Sequence, residues 1–367
     1  MKLAIFAITK NGIKFARTFF RKIDKAALFT NPVDFKQDAK LAFKKYDGLI
    51  FIMAAGIVVR TIAPLLKNKA EDPAVVVMDE KGRYVISLLS GHLGGANNLA
   101  REIAKMVGGQ SVITTATDVN SLPCIEDIAE KFNLAIEDFK KIKMVNSAIV
   151  NGKAIAFIDE DVKRLQAIRE FADSRIKGVR FHKSAAQALK NKIDALVVIT
   201  NKWQAAPSPS PLPRGEGRQN KFPLPYGERD RVRGWMILRP RDIVIGIGCD
   251  RGVKLKEVED SYFSVLEKWD VSPLSVRNVA SIDVKKDEKG LLRFARKYNL
   301  KIDFYSKDEL TDMPLPSGFS SFVMGKVGVG GVCEPAALKS AGTKKIWIRK
   351  QKIGRVTIAA AKAPFVL

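Results

Sequence analysis

Residues Ser87–Ala104 read S-L-L-S-G-H-L-G-G-A-N-N-L-A-R-E-I-A. An apolar segment runs into Gly91-His92-Leu93-Gly94-Gly95 and then into residues with helical apolar spacing. A strand, a glycine turn and a helix in succession form the repeating step of an α/β fold. The chain has two histidines, and one stands in this turn. Glycines beside a lone imidazole let the backbone come close to a bound group. Gly91, Gly94 and Gly95 precede a helix whose first N–H groups would favour a carboxylate, a phosphate or a developing oxyanion. His92 can exchange a proton near neutrality, where free imidazole titrates at about 6.5. It would equally serve by hydrogen bonding its own loop, and the local sequence leaves both readings open.

The same rhythm extends on both sides. Leu3–Thr9 is apolar with little alternation, as a strand buried on both faces would be. Asn11-Gly12 reads as a turn before a short helix over Ile13–Phe20. Ala26–Phe29 and Leu49–Ala54 are strands, with a helix over Phe35–Phe43 between them. Gly56 opens a short helix containing Arg60, and Ala74–Met78 with Tyr84–Leu88 form a hairpin. The helix Ala96–Val107 stops at Gly108-Gly109. A short strand, Val112–Thr114, then leads into T-T-A-T-D, Thr114–Asp118.

The predicted fold class is α/β and multidomain. Open, mostly parallel sheets are flanked by helices, with a separate C-terminal α/β domain. We place an N-terminal α/β domain at residues 1–136, a middle region at 137–238 and a C-terminal α/β domain at 239–367. Within the middle region, 201–234 holds six of the chain's sixteen prolines, a composition that favours an extended linker. His182 lies before a helix starting near Ser184 and reads as a terminating or capping residue.

Composition removes several function classes. No run of eighteen apolar residues occurs, so no membrane span is expected. Cys124, Cys249 and Cys333 are far apart and form no C-x-x-C pair. That pattern fits a reducing cytoplasm, with neither a disulfide framework nor a structural zinc site. The net charge of +24 calls for anions in solution or an anionic partner. Nucleic acid would explain the charge, but not the ordered glycine motifs, and neither zinc-finger spacing nor an aromatic RNA-binding signature is evident.

Two constellations carry chemistry. The first is Arg60, Asp79, His92, Asn97 and Asp118, at loop edges of an open sheet, where α/β proteins place ligands. Asp118 could hold or deprotonate water, while Thr114, Thr115 and Thr117 could simply fill a strand end and cap the following helix. Asp79 is a comparable carboxylate or a hairpin-turn residue. The second joins Gly246-Ile247-Gly248-Cys249-Asp250-Arg251-Gly252 to Gly328–Glu334. Gly248, Gly330 and Gly331 could expose N–H groups, Arg251 could clamp an anion, and Glu334 could be an acid, a base or a cap. Neither loop completes a nucleotide-binding motif.

Taken in order, these segments resemble the CbiG family of anaerobic cobalamin biosynthesis. The likeness runs through G-I-V-V-R-T-I-A-P-L-L (Gly56–Leu66), Lys69–Gly82, Ile86–Asn97 and Thr114–Asp118. It continues through G-I-G-C-D-R-G, A-S-I-D and G-V-G-G-V-C-E-P-A-A-L. The Pro-rich stretch departs from the family pattern at the joint before the terminal domain.

The resemblance implies hydrolysis of the ring A δ-lactone of cobalt-precorrin-5A. The C20 fragment leaves as acetaldehyde, giving cobalt-precorrin-5B. The implied partner is the anionic cobalt-precorrin macrocycle, with transient contacts to neighbouring pathway enzymes and neither membrane nor nucleic acid. No cofactor or protein metal site is implied, because cobalt arrives in the substrate. The expected catalytic residues are His92, Asp118 and Glu334. The expected substrate-binding residues are Arg60, Gly91, Gly94, Gly95, Asn97, Thr115, Gly248, Arg251, Gly330 and Gly331. A non-catalytic tetrapyrrole carrier is the alternative. A nucleotide-dependent transferase and a nucleic-acid-binding protein fit the loops less well.

Overall fold

The structure, a computed structural model, describes residues 1–23, 26–31, 33–68, 71–172, 175–188, 190, 192–203 and 234–366. The chain divides into two units, Met1–Asp127 and Ile128–Leu367. The fold is multidomain α/β with mixed, mostly parallel sheets, as the sequence rhythm predicts.

The first unit carries one sheet of six strands. These are β1 (Leu3–Ala7), β2 (Ala26–Phe29), β3 (Gly48–Ile52), β4 (Ala74–Met78), β5 (Tyr84–Leu89) and β6 (Gln110–Val112), ordered β2-β1-β3-β4-β5-β6. Every residue of β1, β3 and β4 is buried, which explains their unbroken apolar sequences. Helices α1 (Lys10–Phe20) and α4 (Ala96–Val107) cover one face, through Ala16, Phe19, Leu99 and Ile103. Helices α2 (Phe35–Lys45) and α3 (Ala55–Ile62) cover the other, through Phe35, Phe43, Val58 and Ile62. The Asn11-Gly12 pair lies inside α1 rather than in a turn before it. The Thr9 hydroxyl accepts from the Gly12 N–H and starts the helix early.

One pairing decides where the loops go. Strands β1, β3 and β4 are mutually parallel, but β5 runs antiparallel to β4, with Leu89 opposite Val75. The chain therefore leaves β5 at the amino ends of β1, β3 and β4. Strand β6 is parallel to β5 and ends at the same edge.

The second unit carries two five-stranded sheets. Strands β7 (Leu134–Ile136), β8 (Ile155–Asp159), β9 (Val179–His182), β10 (Ala195–Ile199) and β11 (Trp235–Pro240) form one, ordered β7-β11-β10-β8-β9. Strand β7 pairs with β11, so residues 134–136 share a sheet with the middle region rather than with the N-terminal sheet. Strand β11 likewise carries the middle sheet past residue 238, to Pro240. Residues 204–233, and with them most of the Pro-rich stretch, lie outside the described residues.

The last sheet holds β12 (Ile243–Cys249), β13 (Val276–Ile282), β14 (Ile302–Tyr305), β15 (Ile346–Ile353) and β16 (Val356–Lys362), ordered β14-β13-β12-β16-β15. Strand β13 has no clear sequence signature, because Arg277, Asn278 and Ser281 interrupt it. Two of these are buried polar residues with partners. The Asn278 amide reaches Asp303 and Ser340, and the Ser281 hydroxyl donates to the Ile247 carbonyl. Among the described residues, no helix is long and apolar enough to cross a membrane.

Candidate active site around His92

The loop after β5 folds back on itself before α4 begins. The N–H groups of Gly95, Ala96 and Asn97 donate to the carbonyls of His92, Ser90 and Gly91 at 2.9, 3.1 and 2.9 Å. These donors are engaged inside the loop, so Gly95 does not present its N–H to a ligand as the sequence suggested. Its own task is conformational, since φ is 82°, a left-handed value that costs other residues roughly 1–2 kcal/mol. A Cβ there would meet only the flexible end of Met1. Gly95→Ala is therefore expected to lower the urea-unfolding free energy by about 1 kcal/mol and leave the fold intact.

Asn97, only 3% exposed, organises the floor of the site. Its Oδ1 accepts from the Ser87 hydroxyl at 2.7 Å. Its Nδ2 donates to Asp118 Oδ2 at 2.9 Å and to Thr115 Oγ1 at 3.3 Å. Gly91 lies against it, and a Cβ on Gly91 would stand 2.7 Å from Asn97 Oδ1. Arg101, one helical turn further along α4, pairs with the other Asp118 oxygen. Asp118 sits on α5 (Ala116–Val119), a single turn that brings Thr117 and Asp118 toward the β5 loop.

His92 lies between carboxylates. Its Nε2 is 3.1 Å from Thr117 Oγ1 and 3.3 Å from Asp118 Oδ2. Its Nδ1 is 3.7 Å from Asp127 Oδ1, just after the start of α6 (Ile125–Lys131). Burial by itself pushes the imidazole pKa down, but the Asp127, Glu126 and Asp118 carboxylates outweigh it and hold the value above the ordinary one. Asp127 is held low in turn: burial raises it, while His92 and the Cys124 N–H pull it down further.

A raised folded-state pKa stabilises the fold fully below the unfolded value of about 6.5 and loses that contribution as pH rises through the folded value. Urea midpoints of the parent should therefore fall, relative to those of His92→Gln, between neutral and mildly alkaline pH. A difference that stays constant across that range would remove the linkage.

Donor atoms of His92, Cys124 and Asp127 all lie within 4.8 Å of one another, a set that could hold a metal ion. Bonds among the residues already account for the cluster. The Cys124 N–H donates to Asp127 Oδ2 at 2.9 Å, and the Asp127 N–H donates to Cys124 Sγ at 3.4 Å, a reciprocal cap on α6. Burial raises the Cys124 thiol pKa far above its usual range, so it stays protonated.

The other expected site residues fall elsewhere. Arg60 and Asp79 follow the carboxyl ends of β3 and β4, whereas His92 sits at the amino ends of those strands. The two edges are separated by the length of a five-residue strand, roughly 16 Å at ~3.3 Å per residue. The first constellation is therefore split. Arg60 is exposed and donates to the Gly56 carbonyl at 3.1 Å. Asp79 accepts from the N–H groups of Lys81 and Tyr84, each at 2.8 Å, as a hairpin-turn residue does.

In the second unit, Arg251 is exposed and paired with Asp287. Glu334 is 3% exposed. It accepts from the Ser317 N–H and hydroxyl and from the Lys350 N–H, at 3.0, 2.7 and 3.0 Å, so its carboxylate fastens three segments together. Gly248 faces Thr357, and Gly330 and Gly331 lie against Leu315. These are packing contacts.

Family models match most of the chain: "Cobalamin synthesis G N-terminal" over residues 38–118, "Cobalamin biosynthesis central region" over 123–213 and "Cobalamin synthesis G C-terminus" over 243–361. The chain belongs to the CbiG family. Cobalt-precorrin-5A hydrolase of Priestia megaterium is 32% identical over 378 aligned positions, covering 99% of this chain and 95% of that protein. The Salmonella typhimurium hydrolase is also 32% identical, over 91% of this chain and 90% of that protein. A cobalamin biosynthesis protein G homologue from Sulfolobus solfataricus aligns over 99% of this chain and 97% of its own, at 23% identity and a TM-score of 0.38. Of the residues singled out in the sequence of this CbiG chain, the structure brings His92, Asn97, Thr115 and Asp118 together, and Arg101 and Asp127 join them without having been singled out. Arg101 could have been found from its four-residue spacing to Asn97. Asp127 has no local signal, because only tertiary folding brings α6 to the imidazole.

Proposed function

We propose that this chain hydrolyses the ring A δ-lactone of cobalt-precorrin-5A and releases the C20 carbons as acetaldehyde, giving cobalt-precorrin-5B. The observation that carries this reading is the His92 imidazole, 13% exposed and flanked by carboxylates on both nitrogens. Likeness to two hydrolases over most of the chain supports it.

The chemistry follows from the charge. An imidazolium held above its ordinary pKa is a proton donor near neutrality. Placed at the lactone carbonyl, it stabilises the oxyanion formed when water adds to the acyl carbon. Collapse breaks the acyl C–O bond, and His92 passes its proton to the departing C20 oxygen while the imidazole takes back the proton that the added water gives up. The ring A acetate is left as a free carboxylic acid. The new C20 hydroxyl then gives up its proton as the bond from C20 to the ring breaks. Its oxygen becomes the aldehyde oxygen, the electron pair enters the conjugated ring, and a ring carbon takes up a proton. Both carboxylates orient His92. Asp118 is occupied by Arg101, Asn97 and His92 together, which suits anchoring better than water activation.

Lys44 and Lys45 line a hollow of about 430 Å³ that also touches Leu93 and Gly94. Asp47, Glu71 and Asp72 line it too, so the two lysines there stand among carboxylates. Cobalt enters with the substrate, so this reaction assigns the protein no metal of its own.

Anaerobic incubation of the pure protein with the cobalt lactone tests the reading, with acetaldehyde and the ring mass as readouts. Stoichiometric acetaldehyde is expected. Binding of the macrocycle without any change in ring mass would make the chain a carrier instead.

A further inference from the structure

Arg101 stands outside every role assigned so far, and the structure ties it to the imidazole in two steps. Its Nη2 pairs with Asp118 Oδ1, and its Nη1 donates to Asn98 Oδ1 at 2.9 Å. With Oδ1 so engaged, Asp118 turns Oδ2 toward Asn97 Nδ2 and His92 Nε2. The side chain of Asp118 is 14% exposed and that of His92 13%, while that of Arg101 is 47% exposed. The arginine is therefore the rim of the cluster, and the imidazole lies inside it.

We propose that Arg101 is a positioning residue for the hydrolysis: it clamps Asp118, thereby fixing the His92 ring, and it screens the imidazole from the Asp118 charge. The mechanistic half of this statement rests on the hydrolase reading. The structural half does not.

Two physical effects travel through Asp118. The first is orientation. An arginine fork fixes one carboxylate oxygen, whereas an unclamped carboxylate is free to rotate about its χ2 bond. A ring that drifts by an ångström from its reacting atom loses on the order of 100-fold in rate. The second effect is charge. His92 faces Asp118 from α5, Asp127 and Glu126 from α6, and the neutral Cys124 thiol, with Arg101 of α4 on the far side of Asp118. Removing the Arg101 cation leaves the Asp118 charge less compensated and favours the protonated ring more strongly.

The test uses the two-histidine composition, which gives two imidazole signals in the full-length protein. His92→Gln assigns them. Titration followed by NMR without substrate then reports on His92 directly. In Arg101→Met the His92 midpoint should move upward, and turnover should fall on the order of 100-fold, with its pH profile displaced in the same direction. Arg101→Lys restores the charge without the fork. It should return the titration close to that of the parent while recovering turnover only in part.

An unchanged His92 midpoint in Arg101→Met overturns the proposal, whatever happens to turnover. So does full activity in that variant. A shifted midpoint in a protein that never turns over the lactone leaves the Arg101 linkage standing and removes the hydrolase reading. Arg101 is half-exposed on a helix surface, so Arg101→Met is expected to fold.

Discussion

His92→Gln is expected to lower acetaldehyde release by roughly 10²–10⁴-fold, the range associated with loss of a positioned proton-transfer group. Glutamine keeps a polar side chain of similar reach and retains hydrogen bonds to Thr117 and Asp118, but it cannot deliver a proton. The loss should appear in kcat, with macrocycle binding changed little. Far-ultraviolet circular dichroism and the urea midpoint at acidic pH and above serve as controls for the fold. Asp118→Asn should cost less, because asparagine still reaches the ring while disturbing its charge and the Arg101 clamp. Turnover of His92→Gln within about threefold of the parent would take the imidazole out of the chemistry.

The second large effect concerns stability and lies in the second unit. Arg164, 3% exposed, sits on the helix Val162–Ala172. Its Nε and Nη2 donate to the two oxygens of Asp159 at 2.6 and 2.9 Å, and its Nη1 reaches Asp242 at 3.3 Å. Asp159 ends β8 and Asp242 precedes β12, so one guanidinium ties together elements of two sheets. Arg164→Met leaves a buried carboxylate without its partner, which typically costs about 3–5 kcal/mol. Chemical denaturation should show a midpoint displaced accordingly. Lys202→Gln, which breaks the exposed pair with Glu160, should cost less than about 1 kcal/mol and provides the contrast. Equal effects of the two substitutions would contradict this ranking.

Much of the fold was legible because local signals agreed with tertiary demands. Ala96–Val107 is a helix over the predicted range: its apolar residues face the sheet, and Gly108 ends it at φ 70°. The unbroken apolar strand β1 announced burial on both faces. Sequence also grouped Arg60, Asp79, His92, Asn97 and Asp118, and of these His92, Asn97 and Asp118 meet.

What stayed hidden depended on direction and distance. The β4–β5 hairpin was foreseen, but not its consequence that Arg60 and His92 leave opposite edges of the sheet. Asp127 reaches the imidazole only through the placement of α6, which no local pattern encodes. Arg101 was not singled out, because its partner Asp118 lies seventeen residues away and only the fold brings the two together. Glu334 drew attention through its glycine-rich setting, yet its three donors make it a fastener. Buried polar residues with satisfied partners resemble functional ones in sequence, and the same ambiguity concealed β13.

Single turnover in water enriched with heavy oxygen tests the central claim most directly. Attack of water on the lactone acyl carbon predicts one heavy oxygen in the ring A carboxylate of the macrocycle product, lost in His92→Gln along with turnover. A ring product that forms without taking up solvent oxygen, or a macrocycle recovered with its lactone closed, would contradict hydrolysis at this site.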